Sequence, residues 1–282
     1  MNVLKIGGGA GVDHAAALRN LAARVQAGER WVLVHGASDA ANRLSEQVGY
    51  PAQTLVTAGG HTSRYTDART IELYSAAAGS VNQQMTAQLA AEGIRAVGLA
   101  GPNVIYARRK GALRAVVNGR QMIVRDDYTG TIHGVDDALL TGLLDAGMTP
   151  VVAPLAIGEE YERLNVDGDL VAATIARTLH ADALIILSNV PGLLRDVHDA
   201  GSLIANFSLD ALPHNEGYAA GRMKKKLLAA QQAQIARVIL ADSRVAQPLD
   251  AALAGGGTHI TGLTTEAQRS TEEIQRARII QA

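Results

Sequence analysis

Cysteine is absent from the 282-residue chain, and this absence excludes several chemistries at once. No disulfide can form, no thiol can act as a nucleophile, and no zinc or iron–sulfur site can be built on cysteine ligands. Large aromatic residues are scarce as well, with one tryptophan and one phenylalanine. The core must therefore consist mainly of leucine, valine, isoleucine and alanine, which suits helices packed on a buried parallel sheet.

Net charge and long apolar runs are also lacking. The formal charge of −1 at pH 7 gives no overall attraction to nucleic acid, so we expect no nucleic-acid partner. No apolar run reaches membrane-spanning length, and the first residues lack the basic start and long apolar stretch of a signal peptide. We therefore expect no membrane association and a cytoplasmic location. With 48% hydrophobic residues, the chain can form one large α/β domain or two lobes.

The first predicted strand leads into a glycine loop. Residues 3–6 are apolar except for Lys5, residues 7–9 are all glycine, and Asp13 can cap the helix that follows. Glycines let the backbone approach a ligand closely, and a helix N-terminus favours negative charge, so a phosphate can bind here. The loop matches neither common nucleotide fingerprint, because it lacks the G-x-x-x-x-G-K pattern and Val12 takes the third glycine position of G-x-G-x-x-G.

Lys5 is unusual within an apolar strand. A buried ammonium is costly unless it finds an anion, so Lys5 indicates a charge clamp at the strand's end. An edge-strand lysine whose stem extends to water explains this stretch equally well. A second strand, residues 31–34, ends in His35-Gly36-Ala37-Ser38 before another helix. Because parallel strands end at the same edge of a sheet, we expect the two loops to converge on one crevice.

A β-hairpin with basic surroundings is predicted in the middle of the chain. Residues 113–117 and 121–124 flank Asn118-Gly119, a strong two-residue turn signal. Six basic residues lie on or near this hairpin: Arg108, Arg109, Lys110, Arg114, Arg120 and Arg125. The patch is either a docking surface for an acidic partner or a solvated hairpin that is rich in long side chains.

Two charged clusters follow in the second half. The segment Asn165-Val166-Asp167-Gly168-Asp169 comes after a predicted strand at residues 149–157, and its carboxylates either cap the next helix or organise a cation. A later helix begins with Lys224, Lys225 and Lys226, although cations are unfavourable at a helix N-terminus. We expect an anion near this cluster, with Lys224 and Lys225 solvated.

Several short motifs follow one another along the chain: Lys5 with Gly7-Gly8, His35-Gly36, Arg64-Tyr65-Thr66-Asp67, Asn165 with Asp169, and Gly221 with Met223 and Lys226. Taken in this order, they resemble the amino acid kinase family and, within it, the N-acetylglutamate kinase branch. The segments most similar to the kinases that act on carrier-bound α-aminoadipate in bacterial lysine biosynthesis are residues 61–67, 108–110, 125–130, 165–169 and 221–226. The resemblance covers residues 1–260 approximately.

The resemblance implies a three-layer α/β/α sandwich around a mainly parallel open sheet, with the basic β-hairpin as a lid. Residues 1–160 would form an N-terminal lobe for substrate binding and dimerisation, residues 161–263 a nucleotide-binding lobe, and residues 264–282 a polar tail. It also implies ATP as cosubstrate, Mg²⁺ bound through the nucleotide phosphates, an acidic carrier protein as partner, and a homodimer.

Site roles follow from the same resemblance. Lys5 and Lys226 would flank the transferred phosphoryl group, and Asp169 would hold both ammonium groups. The substrate-binding residues would be Gly36, Ala37, Arg64 and Asn165. The nucleotide-binding residues would be Gly7, Gly8, Ser188, Asn189, Gly192, Leu193 and Met223. The chain departs from the family pattern at Ala37-Ser38, where further glycines are usual, and alanine can present its N–H there unless the position needs a positive φ.

Three other functions compete with a carrier-substrate kinase. An N-acetylglutamate kinase would use the same chemistry on a free substrate. A non-catalytic amino-acid or nucleotide sensor would keep the fold, but it has no need for Lys5, Asp169 and Lys226 together. A Rossmann oxidoreductase is disfavoured because His35 stands where an acidic ribose-binding residue is expected.

Overall fold

A computed structural model describes residues 1–57, 62–117, 119–209 and 222–261. The predicted tail 264–282, Asn118 of the hairpin turn and Gly221 lie outside the described residues. The described helices are α1 (His14–Gln26), α2 (Ser38–Gln47), α3 (Ala68–Ala91), α4 (Asp137–Asp145), α5 (Gly168–Thr178), α6 (Arg222–Ala233) and α7 (Pro248–Leu253). The described strands are β1 (Asn2–Ile6), β2 (Trp31–His35), β3 (Thr54–Thr57), β4 (Thr62–Arg64), β5 (Ala96–Leu99), β6 (Ile105–Arg109), β7 (Leu113–Val117), β8 (Arg120–Val124), β9 (Gly130–Val135), β10 (Thr149–Val152), β11 (Leu155–Ile157), β12 (Arg163–Asn165), β13 (Ala183–Ser188), β14 (Asn206–Ser208), β15 (Val238–Asp242) and β16 (Thr258–Thr261).

The central sheet has eight strands in the order β14-β16-β15-β13-β1-β2-β10-β5. Every neighbouring pair is parallel except β15 and β16, which confirms the mainly parallel sheet. Strand β1 lies at its centre, where Lys5 is in register with Val34 on one side and Ile186 on the other. Strands from both halves of the chain therefore share one sheet, and the proposed division at residues 160 and 161 stays a prediction.

Helices cover both faces of this sheet, because neighbouring strand residues point to opposite sides. Val3 packs into a core with residues of α4, α5 and α6, and Leu4 packs into a second core with residues of α1, α2, α3 and α7. This arrangement confirms the three-layer α/β/α architecture. As predicted, Asp13 caps α1, and its carboxylate accepts a hydrogen bond of 3.0 Å from the N–H of Ala16.

Two four-stranded sheets lie beside the central one, with the strand orders β12-β11-β6-β9 and β4-β3-β7-β8. The second contains the predicted hairpin, β7 with β8, whose strands pair antiparallel. That this hairpin acts as a lid stays a prediction. The single strand predicted over residues 149–157 is wrong, because β10 and β11 belong to different sheets. Pro154 lies between them and has no N–H with which to continue a ladder. Helix α7 had no counterpart among the predicted elements.

The loops after β1 and β2 contact each other backbone to backbone. A Cβ on Gly8 would lie 2.2 Å from the carbonyl carbon of Gly36, and one on Gly36 would lie 2.4 Å from the nitrogen of Gly8. Neither glycine has a positive φ, so close approach is the reason that no side chain fits. The carbonyl of Gly8 accepts hydrogen bonds from the N–H of Asp39 at 2.7 Å and from the Ser38 hydroxyl at 2.9 Å. These bonds join the first glycine loop to the start of α2.

In the described part of the chain, no helix combines the length and the apolar character that a membrane crossing needs.

Candidate active site

Two lysines and an aspartate meet at the carboxyl edge of the central sheet. Lys5 Nζ on β1 lies 2.7 Å from Asp169 Oδ1, and Lys226 Nζ on α6 donates a hydrogen bond of 3.0 Å to Asp169 Oδ2. Asp169 is in the first turn of α5, where the cap at Asp167 accepts a hydrogen bond from its N–H. The structure therefore brings together the three predicted catalytic residues, and Lys5 does not extend to water.

All three side chains are buried, with exposures of 7%, 6% and 8% for Lys5, Asp169 and Lys226. Burial alone would raise the pKa of Asp169, but the adjacent ammonium groups of Lys5 and Lys226 outweigh it and hold that pKa well below its usual range. Burial lowers the pKa of Lys226, and Asp169 opposes that shift. Asp169 is thus a charged carboxylate, and the trio with both lysines protonated carries one net positive charge.

The glycine loops supply fewer N–H donors than predicted. The N–H of Gly7 donates to Leu187 O at 2.9 Å, and the N–H of Gly36 donates to Ile6 O at the same distance, so both are part of the sheet ladder. Within the described residues, no carbonyl accepts from the N–H of Gly8. Ala37 has φ −137°, a value that alanine adopts without strain, so this position does not need the glycine that is usual in the family pattern.

Arg64, at the end of β4, has a half-buried guanidinium that is only partly satisfied. Its Nη2 donates to Ser38 O at 3.1 Å and to the side-chain oxygen of Asn42. Its Nη1 is buried, and no acceptor among the described residues reaches it. Its Cζ lies 5.8 Å from the centre of the Tyr74 ring. A guanidinium with one buried nitrogen left over is suited to binding a carboxylate.

Asn165, at the end of β12, lies on the same side of the site. Its side-chain Nδ2 donates to Thr66 Oγ1 at 3.1 Å, and Thr66 Oγ1 donates to Arg64 O at 3.2 Å. The two predicted substrate-binding side chains are therefore joined through one threonine, although they come from distant parts of the chain.

The predicted nucleotide-binding residues of the second half divide into two groups. Ser188 and Asn189 lie at the end of β13, whereas Gly192, Leu193 and Met223 are closely packed. Ser188 ends β13, and Asn189 follows it with its Nδ2 donating to Ala10 O at 3.1 Å, next to the first glycine loop. Leu193 is fully buried in the core, and its N–H donates to Thr258 Oγ1, so it shapes the loop and has no group left for a ligand. A Cβ on Gly192 would lie 2.5 Å from that same hydroxyl oxygen. Met223 on α6 packs partly buried against the core.

Comparison with known proteins identifies the family. The model described as "Amino acid kinase family" matches residues 1–241. The chain belongs to the amino acid kinase family. Two similar proteins are named LysW-aminoadipate kinase. The one from Deinococcus radiodurans is 41% identical over 93% of this chain and 91% of that protein. The one from Thermus thermophilus is 40% identical over 92% of this chain and 99% of that protein.

Solved structures share the amino acid kinase fold. N-acetylglutamate synthase from Neisseria gonorrhoeae, complexed with coenzyme A and N-acetyl-glutamate, superposes with a TM-score of 0.74 at 25% identity. The match covers 92% of this chain and 59% of the synthase chain. Giardia carbamate kinase superposes with a TM-score of 0.62 at 17% identity over 93% of this chain and 98% of that one, which shows the fold alone.

This amino acid kinase has a buried polar pair that the sequence analysis did not assign. His35 is fully buried at the end of β2, and its Nε2 lies 3.1 Å from Asn82 Nδ2 on α3. Asn82 Nδ2 also donates to Val151 O at 2.8 Å, which assigns this atom as the amide nitrogen. His35 Nε2 is then the acceptor, so Nδ1 carries the proton and lies 3.3 Å from Gly36 O. An asparagine on the buried face of a long helix was the only sequence signal.

The six predicted docking residues do not form one patch of unpaired cations. Arg108 forms an ion pair of 2.8 Å with Glu159. Arg109 lies with its Cζ 3.8 Å from the centre of the Tyr128 ring, and its Nε donates to Asp127 O at 2.9 Å. These two belong to β6, in a different sheet from the hairpin. The side chain of Arg120 lies outside the described residues. The exposed members without an ion pair in the described structure are Lys110, Arg114 and Arg125.

The lysine cluster of α6 is also more structured than predicted. Lys225, expected to be solvated, lies 3.6 Å from Asp167 Oδ2. Lys224 is exposed as expected. The cap residue of α5 is thus paired with one lysine of α6 while Asp169 is paired with the next, so two adjacent contacts hold α6 against the N-terminus of α5.

The stability of this kinase is expected to depend on the protonation of His35. Burial lowers the pKa of His35 from 6.5 to about 4, and nearby His14 and Lys5 add to that effect. Between these two values the unfolded chain binds a proton that the folded chain does not. The free energy of unfolding should therefore fall as the pH decreases from 6.5 to about 4, by up to about 3 kcal/mol.

The variant His35→Gln should lack this component, because glutamine does not ionise but can accept the Asn82 hydrogen bond. Urea denaturation of both proteins between pH 4 and pH 6.5 would measure how the free energy of unfolding changes with pH. Equal pH slopes for the wild type and the variant would contradict the assignment.

Proposed function

We propose that this chain is an ATP-dependent kinase that phosphorylates the side-chain carboxylate of α-aminoadipate attached to an amino-group carrier protein. The product would be an acyl phosphate in lysine biosynthesis, and the site of action the cytoplasm, where ATP is available. The names of the two relatives at about 40% identity support this substrate. The observation that carries the chemistry is the buried arrangement of Lys5 and Lys226 around Asp169.

The reaction brings two anions together, and its transition state needs fixed positive charge more than covalent machinery. A carboxylate oxygen of the acceptor attacks the γ-phosphorus as the bond to the ADP oxygen breaks. Lys5 and Lys226 reach the site from opposite sides of Asp169, and we assign them to the developing charge on the transferred phosphoryl group. Asp169 holds both ammonium groups and prevents their mutual repulsion from moving them apart.

Nucleotide would bind on the side of the crevice formed by β13, α6 and the first glycine loop. Ser188, Asn189 and Met223 would contact it, together with the backbone of Gly7 and Gly8. No group of three His, Asp or Glu side chains within the described ranges is arranged to hold a metal ion. As the family resemblance implies, we propose that Mg²⁺ enters with ATP, bound through its phosphates, where it neutralises phosphate charge.

The acceptor would bind at the opposite end of the crevice. Arg64 offers its buried, unpaired Nη1 to the carboxylate of the amino acid, and Asn165 offers its amide. The hairpin of β7 and β8 belongs to the same small sheet as Arg64, which is consistent with a lid over this end. We assign residues 1–160 mainly to acceptor binding and residues 161–263 mainly to nucleotide binding, with Asn165 and the loop of Gly7 and Gly8 as the exceptions.

We also propose a homodimer formed through α3. The helix has 24 residues, and between Glu72 and Glu92 its exposed face carries no charged side chain. The exposed residues between these two glutamates are Ala76, Ser80, Gln83, Gln84, Ala87, Gln88, Ala90 and Ala91. A long neutral face of small and amide side chains favours contact with a second copy.

Sedimentation equilibrium is expected to give twice the mass of one chain, and a single-chain mass would exclude the dimer.

Removing either catalytic lysine should lower turnover far more than it lowers nucleotide affinity. Lys5→Ala or Lys226→Ala should each reduce kcat by about 10²–10³-fold, as expected for the loss of one transition-state donor. Lys224→Ala is the matched control on α6, since its side chain is exposed. A coupled ADP-release assay gives kcat, and calorimetric titration gives nucleotide affinity. Near-normal turnover in either lysine variant would refute that lysine's role.

A free-substrate kinase is the second candidate, because a structural neighbour at 25% identity is complexed with N-acetyl-glutamate. Comparing ADP release with N-acetylglutamate, free aminoadipate and carrier-bound aminoadipate separates the two functions. We expect the carrier-bound acceptor to have the highest kcat/KM. Binding of amino acid without any ADP release would instead indicate a sensor.

Carrier docking should depend on the exposed cations near the hairpin. Changing Lys110, Arg114 and Arg125 together to glutamate should raise the KM for an acidic carrier and leave basal ATP hydrolysis unchanged. Arg19→Glu, an exposed charge reversal on α1, is the control. Added salt should weaken docking of the wild type, since the Debye length is about 8 Å at physiological ionic strength. An unchanged KM and no effect of salt would mean that this surface is only solvated.

A further inference from the structure

Thr66 is completely buried, and its backbone and side-chain polar groups all have partners. Its N–H donates to Asp127 Oδ1 at 2.9 Å, and its carbonyl accepts from the N–H of Tyr128 at 2.6 Å. Its hydroxyl donates to Arg64 O at 3.2 Å and accepts from Asn165 Nδ2 at 3.1 Å. The residue thus contacts three segments of the chain: the end of β4, the loop before β9 and the end of β12.

The direction of these hydrogen bonds is determined by chemistry. Arg64 O can only accept, so the hydroxyl hydrogen of Thr66 is directed to it. The hydroxyl oxygen is then left as an acceptor, and Asn165 must present its NH₂ group rather than its oxygen. One hydroxyl therefore sets the amide orientation of Asn165 and restrains the backbone of Arg64.

A second buried group supports this arrangement. Asp127 is 2% exposed, and its carboxylate accepts from the N–H of Thr66 and from the hydroxyl of Thr129. Between them, Tyr128 accepts at its carbonyl from the N–H of Asn165 at 2.8 Å. The segment of residues 127–129 thus joins the backbones of Thr66 and Asn165 independently of the threonine hydroxyl. Loss of the hydroxyl should leave this backbone frame in place.

We propose that Thr66 is a positioning residue that aligns Arg64 and Asn165 for the amino-acid acceptor. The inference rests on the proposed function, which places those two side chains at the acceptor. Arg64 needs its backbone held because its unpaired Nη1 is buried and must be directed at the carboxylate of the amino-acid substrate. Asn165 needs its amide held because rotating the amide by 180° would exchange its NH₂ group and its oxygen. The amino-acid substrate would then face the wrong hydrogen-bonding group.

The effect should be confined to the acceptor end of the site. The hydrogen bonds of Thr66 run to β4, to the segment of residues 127–129 and to β12, and none reaches β13 or α6. Removal of the hydroxyl should therefore change the KM for the acceptor and leave the KM for ATP unaltered. A residue with a merely structural role would change both together with the thermal stability.

The test compares Thr66→Val, which has nearly the same shape without the hydroxyl, with Thr66→Ser, which keeps it. With carrier-bound aminoadipate as the acceptor, Thr66→Val should raise the acceptor KM by at least about tenfold, because the change removes two buried hydrogen bonds at once, the one to Arg64 O and the one from Asn165 Nδ2. Thr66→Ser should restore most of that loss, and the KM for ATP should stay within about twofold of the wild type in both. Thr174→Val is the matched control, because Thr174 is also buried and its hydroxyl donates only to Leu170 O within α5.

Two results would overturn the inference: an unchanged acceptor KM in Thr66→Val, or a loss in Thr66→Ser as large as in Thr66→Val. The variant Arg64→Lys tests separately whether Arg64 lies at the acceptor, since a lysine has one nitrogen and cannot keep the bonds of Nη2 to Ser38 and Asn42 while presenting a second nitrogen as Nη1 does. If Arg64→Lys raises the acceptor KM and Thr66→Val does not, only the positioning role is wrong. If neither variant changes it, Arg64 is not at the acceptor and the positioning role falls with it. If the wild type releases no ADP with carrier-bound aminoadipate, the proposed function itself is refuted.

Discussion

The site depends on the contact of one buried carboxylate with two buried ammonium groups. Asp169 lies 2.7 Å from Lys5 Nζ and 3.0 Å from Lys226 Nζ, and the three side chains come from β1, α5 and α6. Charges of this kind are tolerated in a protein interior only when they are paired. The trio therefore holds the two helices against the central strand at the edge where the crevice opens. The same contact that stabilises this arrangement leaves a net positive charge where phosphoryl transfer would need one.

The two glycine loops that follow β1 and β2 pack closely beside this trio. Gly8 and Gly36 bring the loops after β1 and β2 into direct contact, and no Cβ fits at either position. The N–H groups of Gly7 and Gly36 complete the sheet ladder, so these two glycines have a packing role that does not depend on phosphate binding. His35 and Asn82 lie directly behind the second loop, and the neutral histidine next to Gly36 adds no charge there.

The proposed acceptor end is organised differently, by hydrogen bonds around a buried aspartate. Thr66, Asp127 and Asn165 join segments that belong to separate small sheets and loops. Arg109 takes part in the same frame through Tyr128 and the carbonyl of Asp127, which is why it is not available as an exposed docking residue. The two ends of the crevice therefore differ in character: an ionic centre at the proposed phosphoryl site and a hydrogen-bonded frame at the proposed acceptor site.

The sequence by itself determined the strand-loop-helix units, the cap at Asp13, the hairpin of β7 and β8, and the family. These features depend on local spacing and on residue types that have few structural alternatives, such as glycines after a strand or a lysine within one. Only the tertiary structure decided which groups are partners. It separated β10 from β11 at Pro154, placed Leu193 in the core and paired Arg108 with Glu159. It also joined His35 to Asn82, and Arg64 to Asn165 through Thr66. Hydrogen bonds between segments that are distant in sequence form only when tertiary folding brings those segments together, and local sequence patterns do not specify these partners.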